Sequence, residues 1–96
     1  MNSYTAPPAF KPDWSVHPGE ILLDELQERG WTQAHLARQT GFTNKHVNQV
    51  VKGHAHIGVA FAVALERVLG GSAEMWLRLQ LAHDLFEYRA FGRQTR

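Results

Sequence analysis

The sequence contains no cysteine, which excludes disulfide bonds and thiol chemistry. No apolar run approaches the roughly 20 residues that a membrane-spanning helix needs. The N-terminus lacks the charged start and apolar core of a secretory signal. No segment alternates apolar and polar residues over a convincing strand length, and no internal repeat is present. These absences lead us to expect a cytoplasmic protein built without strands.

Catalytic patterns are equally scarce. There is no glycine-rich phosphate loop and no pair of carboxylates in a setting that would form a cleft. His54 and His56 are two residues apart, but no third and fourth ligand follow at a spacing suited to a metal. We therefore expect neither an enzyme nor a bound metal or cofactor.

The 96 residues, 44% of them hydrophobic, suffice for one small domain with a modest core. A domain of this size buries only about two-thirds of the surface of its unfolded chain, so self-association is a reasonable expectation. The net charge of +1 is unevenly distributed, since no Asp or Glu occurs from Arg29 to Leu65. A basic middle beside an acidic flank favours a polyanionic partner, although a solvated basic face would give the same pattern.

Glycines and capping residues divide the chain into an arm and five helical segments. Residues 1–16 hold three prolines and predict an extended arm, in which Phe10 and Trp14 are large enough to pack on the domain or on a partner. The first helix is predicted to begin at Pro18, after His17, which we expect to cap or pack. The remaining boundaries are predicted at Gly30, Thr32, Gly41, Thr43, Gly53, Gly70–Gly71, Ser72 and about Ala90. In the fourth helix, the residues expected to face inward are Ala60, Phe61, Ala64, Leu65, Val68 and Leu69.

The stretch QAHLARQTGFTNKHVNQVV, residues 33–51, has the spacing of a helix-turn-helix. Ala37 is small where two helices would approach, and Gly41 lies where the turn needs a positive φ. Phe42 can fill the space under the turn, and Val47 and Val50 share the inner side of the second helix. The sequence therefore predicts two short helices that form one packed unit.

The outer face of that second helix is polar and free of acid, which suits the reading of DNA bases in the major groove. Hydroxyls and amides at the two helix starts can bind phosphate oxygens, and side chains just past the second helix can bind the DNA backbone. The predicted DNA-binding residues are Thr32, Gln33, Thr43, Asn44, Lys45, His46, Asn48, Gln49, Lys52 and His54. An ordinary solvated helix face is the alternative.

The last helix has two apolar stripes in projection. One consists of Met75, Leu79, Ala82 and Phe86, and the other of Leu77, Leu81, Leu85 and Tyr88. Arg78 and Arg89 separate them on one side, and Gln80, Asp84 and Glu87 on the other. One stripe can complete the core, with His83 partly buried beside it. The second predicts a two-fold homodimer through Leu77, Leu81, Leu85 and Tyr88, unless it covers the N-terminal arm.

Several motifs resemble the HigA-type antitoxins, a group within the Xre/Cro-like helix-turn-helix proteins. They are HPGEIL at residues 17–22, GWTQ at 30–33, Leu36-Ala37, Thr43, Val47, Gly53 and WLRLQ at 76–80. The resemblance covers roughly residues 16–86 and implies a five-helix, lambda-repressor-like fold. In this chain Gly58-Val59 stands where many relatives carry a proline near the start of the fourth helix, which weakens that start.

The resemblance also implies two functions in a bacterial cytoplasm. Such proteins neutralise a cognate HigB-like toxin similar to RelE-fold mRNA endoribonucleases, and as dimers they bind operator DNA and repress their own operon. The expected organisation is an arm over 1–16, a DNA-binding domain over 17–71, a dimerisation helix over 72–91 and a tail over 92–96. A stand-alone Xre-type repressor or a pure protein-interaction module, without a toxin partner, would explain the same motifs.

Overall fold

A computed structural model of the protein describes residues 16–92, and within this range it contains five α-helices and no strand. The helices are α1 (Pro18–Arg29), α2 (Gln33–Thr40), α3 (Asn44–Val51), α4 (Val59–Leu69) and α5 (Ala73–Ala90). This confirms the predicted all-α fold with its longest helix last. None of the five helices is long and apolar enough to cross a bilayer. The predicted arm, with Phe10 and Trp14, and the tail from residue 93 lie outside the described residues.

Side chains cap four of the five helix starts. The first amides of a helix have no partner inside it, so a side-chain acceptor just before the helix stabilises it. His17 Nδ1 accepts from the Gly19 amide at 3.1 Å, which confirms its capping role. The three hydroxyl caps, also as predicted, are Thr32 on the His35 amide at 3.0 Å, Thr43 on the His46 amide at 2.9 Å and Ser72 on the Met75 amide at 3.0 Å. Among the helices of residues 16–92, only α4 begins without such a bond, after Gly58.

The core is one cluster that receives side chains from every helix. Its largest fully buried members are Trp76, Phe61, Leu22, Leu26, Leu36, Ile57, Leu65, Val47 and Val50. Phe61, Ala64 and Leu65 are buried as predicted, whereas the prediction for Ala60 is wrong because it lies exposed in the first turn of α4. Ala62 takes an inward position instead.

The inward face of α5 differs from the predicted stripe. Trp76 and Gln80 are 2% and 7% exposed, while Met75, expected inside, is 39% exposed. Trp76 lies on the side of α5 that meets the core, and its large ring fills space there. Gln80 is tolerated there because its amide is engaged at both ends: Oε1 accepts from the Ile57 amide at 2.8 Å and Nε2 donates to Asp84 Oδ1 at 2.9 Å.

Three of the four residues predicted to form the second stripe are exposed on α5. Leu81 is 58% exposed, Tyr88 52% and Leu85 39%. Leu77, the fourth, is partly buried against the core. It lies one position after Trp76, on the edge of the inward face. The exposed apolar face of α5 is therefore Leu81, Leu85 and Tyr88.

Candidate nucleic-acid interface

Helices α2 and α3 pack on each other around a glycine turn. Gly41 adopts a φ of 78°, and its amide donates to the Ala37 carbonyl at 2.9 Å, which ends α2. Ala37, Val47 and Val50 are buried, so the inner side of the pair is the apolar seam that the sequence predicts. Phe42 also packs as predicted, with its ring centroid 4.8 Å from that of Phe61. The pair is thus a helix-turn-helix, and α4 packs against it through the contact of Phe61 with Phe42.

Four predicted residues meet at one place on this unit. A shallow, open groove between the starts of α2 and α3 is lined by Gln33, Ala34, Asn44, Lys45 and Asn48. Asn44 and Lys45 are exposed in the first turn of α3, where base edges are met when such a helix enters the major groove. Ala34 was not predicted, and its position beside Gln33 in the first turn of α2 is the only signal that could have indicated it.

A hydrogen bond links the two helices across this groove. Asn48 Nδ2 donates to Gln33 Oε1 at 3.0 Å. The bond uses one amide proton of Asn48 and leaves its amide oxygen, together with the NH₂ group of Gln33, able to bind a further partner. Both donors and acceptors are therefore presented at the groove, as the recognition of a base edge requires, and the donors alone can bind a phosphate.

The helix starts add further groups. Thr32 and Thr43 are both exposed, and each hydroxyl accepts from an amide, so its proton remains able to reach a phosphate oxygen. Unpaired amides in the first turns of α2 and α3 contribute partial positive charge at the same edge. No Asp or Glu occurs from residue 30 to residue 65 to oppose a polyanion.

Two predicted residues lie at the other end of α3. Lys52 is the C-cap of α3, and His54 follows in the exposed turn. The Gln49 carbonyl closes this turn by accepting from the amides of His54 and Ala55 at 2.8 and 3.1 Å. An eight-residue helix is about 12 Å long, so Lys52 and His54 lie at the end of α3 that is away from the groove. Gln49 itself is half-buried beside this turn.

His46 does not lie on the outward polar face, and that part of the prediction is wrong. Its ring centroid is 5.1 Å from that of Phe42 and 5.0 Å from that of Phe61, the latter in an edge-on arrangement. Its Nε2 is buried without a hydrogen-bond partner in the described part of the chain. The reason is geometric: residue 46 follows the exposed Lys45 by about 100° around α3 and turns toward the space under Phe42.

The acidic residues gather elsewhere. Glu20, Asp24 and Glu28 are exposed on α1, a helix that contributes nothing to the groove. Negative charge is thereby kept off the α2–α3 edge, which is left with Lys45 and the positive ends of two helices. The α2–α3 edge is therefore free of the acidic side chains that would repel a polyanion.

Comparison with known proteins agrees with this geometry. Residues 22–76 match the helix-turn-helix family. The virulence-associated protein I of Dichelobacter nodosus is 36% identical over 72 residues, which are 74% of this chain and 67% of that protein.

Solved structures show the same fold. The antitoxin HigA of Pseudomonas aeruginosa, solved with the higBA promoter, superposes with a TM-score of 0.77 at 36% identity, over 86% of this chain and 92% of that one. An addiction module antidote protein of the HigA family from Coxiella burnetii gives a TM-score of 0.74 at 30% identity, over 82% and 88% of the two chains.

Proposed function

Because the chain belongs to the helix-turn-helix family, and within it to the HigA-type antitoxins, we propose that it binds operator DNA through α2 and α3. The observation that carries this proposal is the groove in which Asn44 and Lys45 stand beside the bonded pair Gln33–Asn48. It is supported by the similar HigA of P. aeruginosa, whose structure contains promoter DNA.

In this proposal α3 lies in the major groove with its first turn toward the bases. Asn44 and Asn48 can each pair with adenine, and Lys45 can reach guanine or a phosphate. Thr32, Gln33 and Thr43 bind phosphates beside the groove. Gln49 contacts DNA along the outer side of α3, and Lys52 and His54 clamp the backbone beyond its end. We assign His46 a supporting role in place of a DNA contact, since its ring holds α3 against Phe42 and Phe61.

We further propose that the protein acts as a two-fold dimer through α5. The exposed apolar residues Leu81, Leu85 and Tyr88 cover about two turns of this helix, and contact with a second copy would remove them from water. A two-fold axis would place two α3 helices for successive major grooves, about 34 Å apart. Residues 17–71 would then read DNA, and residues 72–91 would join the two copies.

The second half of the proposed function is the neutralisation of a toxin. We propose that the protein binds and neutralises a toxin similar to RelE-fold mRNA endoribonucleases, encoded beside this chain, and that its own dimer on the operator represses the operon. The support is the membership of the antitoxin family and the likeness to HigA proteins over most of the chain.

Two measurements test the halves separately. Fluorescence anisotropy with the DNA upstream of the gene should show tight binding that falls steeply with salt, because bound cations on the DNA are released. Co-expression with the neighbouring open reading frame should rescue growth from its toxicity. Operator binding without rescue would indicate a stand-alone repressor, whereas rescue without operator binding would indicate a protein-interaction module.

A further inference from the structure

The two asparagines in the groove between α2 and α3 differ in how firmly their side chains are held. Asn48 is half-buried, and its Nδ2 donates to Oε1 of the half-buried Gln33 at 3.0 Å. Asn44 lines the same groove, but its exposed side chain has no hydrogen-bond partner within residues 16–92. Of the two, Asn48 is therefore the one whose amide is oriented before DNA binds.

The bond to Gln33 determines what Asn48 can offer to a base. A primary amide has two N–H donors and one acceptor oxygen. Gln33 Oε1 engages one of the two donors of Asn48, so one N–H and the oxygen remain. Turning the Asn48 amide over would set two acceptor oxygens against each other, Oδ1 and Gln33 Oε1, so the bond selects one orientation.

One donor beside one acceptor matches a single base edge in the major groove. Adenine shows the N7 acceptor next to the N6 donor, whereas guanine shows two acceptors, N7 and O6. Because Gln33 already holds one donor of Asn48, the asparagine can serve only one of the two guanine acceptors. Cytosine shows its N4 donor and thymine its O4 acceptor, so each leaves one group of Asn48 unpaired. The hydrogen-bonded pair therefore favours adenine.

Given the proposed binding of operator DNA through α3, on which this step rests, we propose that Asn48 reads an adenine of the operator and that N6-methylation of this adenine blocks binding. Asn48 Oδ1 accepts from the adenine N6 amino group, and the remaining Nδ2 proton goes to N7. Gln33 is the positioning residue that fixes the Asn48 amide, and its own NH₂ group stays available to a phosphate.

The effect of methylation follows from the geometry of the base pair. One N6 hydrogen of adenine pairs with thymine O4, and the other faces the major groove. A methyl group on N6 leaves the base pair intact only when it replaces the groove-facing hydrogen. It then removes the donor that Asn48 Oδ1 needs and lies where that oxygen has to approach. N6-methylation of the operator would therefore act as a switch that releases the protein.

Anisotropy titrations of the full chain with synthetic operators test this reading. Each adenine of the footprinted operator is replaced in turn by N6-methyladenine, and in a second series by 7-deazaadenine, which lacks the N7 acceptor. We expect a position at which both replacements weaken binding by about tenfold or more, the discrimination of one bidentate pair. An operator that binds but has no such position overturns this inference alone. Absence of binding to any upstream DNA overturns the proposed function with it.

Two asparagine variants assign that adenine to a residue. Asn48→Ala should bind the unmodified operator about tenfold more weakly, and N6-methylation at the identified position should weaken it no further. Asn44→Ala is the matched control from the same groove and should keep the full effect of methylation. A methylation effect that persists in Asn48→Ala, or that disappears equally in Asn44→Ala, would refute the assignment. Circular dichroism melts establish that each variant is folded.

The positioning role of Gln33 is measured by base preference, because a loss of affinity alone would not distinguish it. Gln33→Glu keeps an oxygen for Asn48 Nδ2 but adds negative charge, so it should bind all DNA more weakly and retain the preference for adenine over guanine at the identified position. Gln33→Ala removes that oxygen and frees the second donor of Asn48, so the preference should fall by about tenfold. Equal preferences in the two variants would overturn this role.

Discussion

Asn48 Nδ2 and Gln33 Oε1 lie 3.0 Å apart, although fifteen residues separate the two in the sequence. Their hydrogen bond joins the first residue of α2 to the outer side of α3. The two side chains therefore form one unit at the groove, and each fixes the rotamer with which the other would meet DNA. This relationship leads to the first of five predictions.

A double-mutant cycle should detect that unit. We expect Gln33→Ala and Asn48→Ala each to weaken operator binding by about tenfold, the typical value of a good polar contact to DNA. The double variant should lose clearly less than the sum, because each single change already disrupts the pair. Anisotropy titrations measure all four proteins, with Gln27→Ala on α1 as an exposed control. Strictly additive losses would mean that the two residues bind DNA independently.

The charge of Lys45 should appear in the salt dependence of binding. If Lys45 meets a phosphate, Lys45→Ala should reduce the slope of log K against log salt by about one. If it meets a base, the variant should instead relax the preference for the operator over unrelated DNA. Asn44→Ala and Lys45→Ala should both spare toxin neutralisation. Arg67→Ala removes the same positive charge at an exposed position on α4 and serves as the control. Unchanged operator binding by an Asn44→Ala, Lys45→Ala double variant would remove α3 from the interface.

His46 should affect stability more than recognition. His46→Ala removes a ring that packs on Phe42 and Phe61 and should lower the free energy of unfolding by about 1–2 kcal/mol. His46→Phe keeps a ring and removes the unpartnered Nε2, so it should retain both stability and operator binding. Urea denaturation and anisotropy measure the two properties. A His46→Phe protein that is stable but unable to bind the operator would restore His46 as a DNA contact.

The dimer should depend on the exposed face of α5. Sedimentation velocity at micromolar concentration should show a dimer for the native chain and a monomer for Leu81→Lys, Leu85→Lys, since buried lysines without partners oppose association. Val63→Lys on α4 introduces the same charge at a residue that is 50% exposed and should leave the dimer intact. The monomeric variant should also bind the operator more weakly, because one half-site contact is lost. A native chain that sediments as a monomer contradicts the dimer itself.

Two glycines should respond in opposite ways to the same substitution. A Cβ on Gly19 would collide with the Val50 carbonyl oxygen, so Gly19→Ser should cost about 2 kcal/mol or more. Gly58 has no described neighbour within reach of an added Cβ and precedes α4, which begins without a side-chain cap. Gly58→Ser should therefore stabilise the protein by about 0.5 kcal/mol. Thermal and urea denaturation compare the pair, and a tolerated Gly19→Ser would mean that α1 can move away from α3.

The local elements were predictable because their determinants are local. The caps Thr32, Thr43 and Ser72 and the turn at Gly41 depend on residues within one helical turn, and each occurs where the sequence predicts it. The polar first turn of α3 was predictable for the same reason.

The faces of helices were less predictable where polarity and burial disagree. Gln80 is polar but buried, because the Ile57 amide from another segment satisfies it. His46 is polar but packs inward, because Phe42 and Phe61 provide a surface for its ring. Neither partner could be identified from the spacing within one helix.

The sequence by itself therefore determined the class of fold, the five helices, the hinge at Gly41 and the acid-free polar edge of α3, since short-range capping, periodicity and charge decide these. Only the tertiary structure decided which polar residues remain available to a partner. In the folded chain Gln33 is hydrogen-bonded to Asn48, and His46 packs inward. On α5, Trp76 is buried, whereas Leu81, Leu85 and Tyr88 are exposed. The physical reason is that burial depends on the other helices of the fold, and these are brought together from distant parts of the chain.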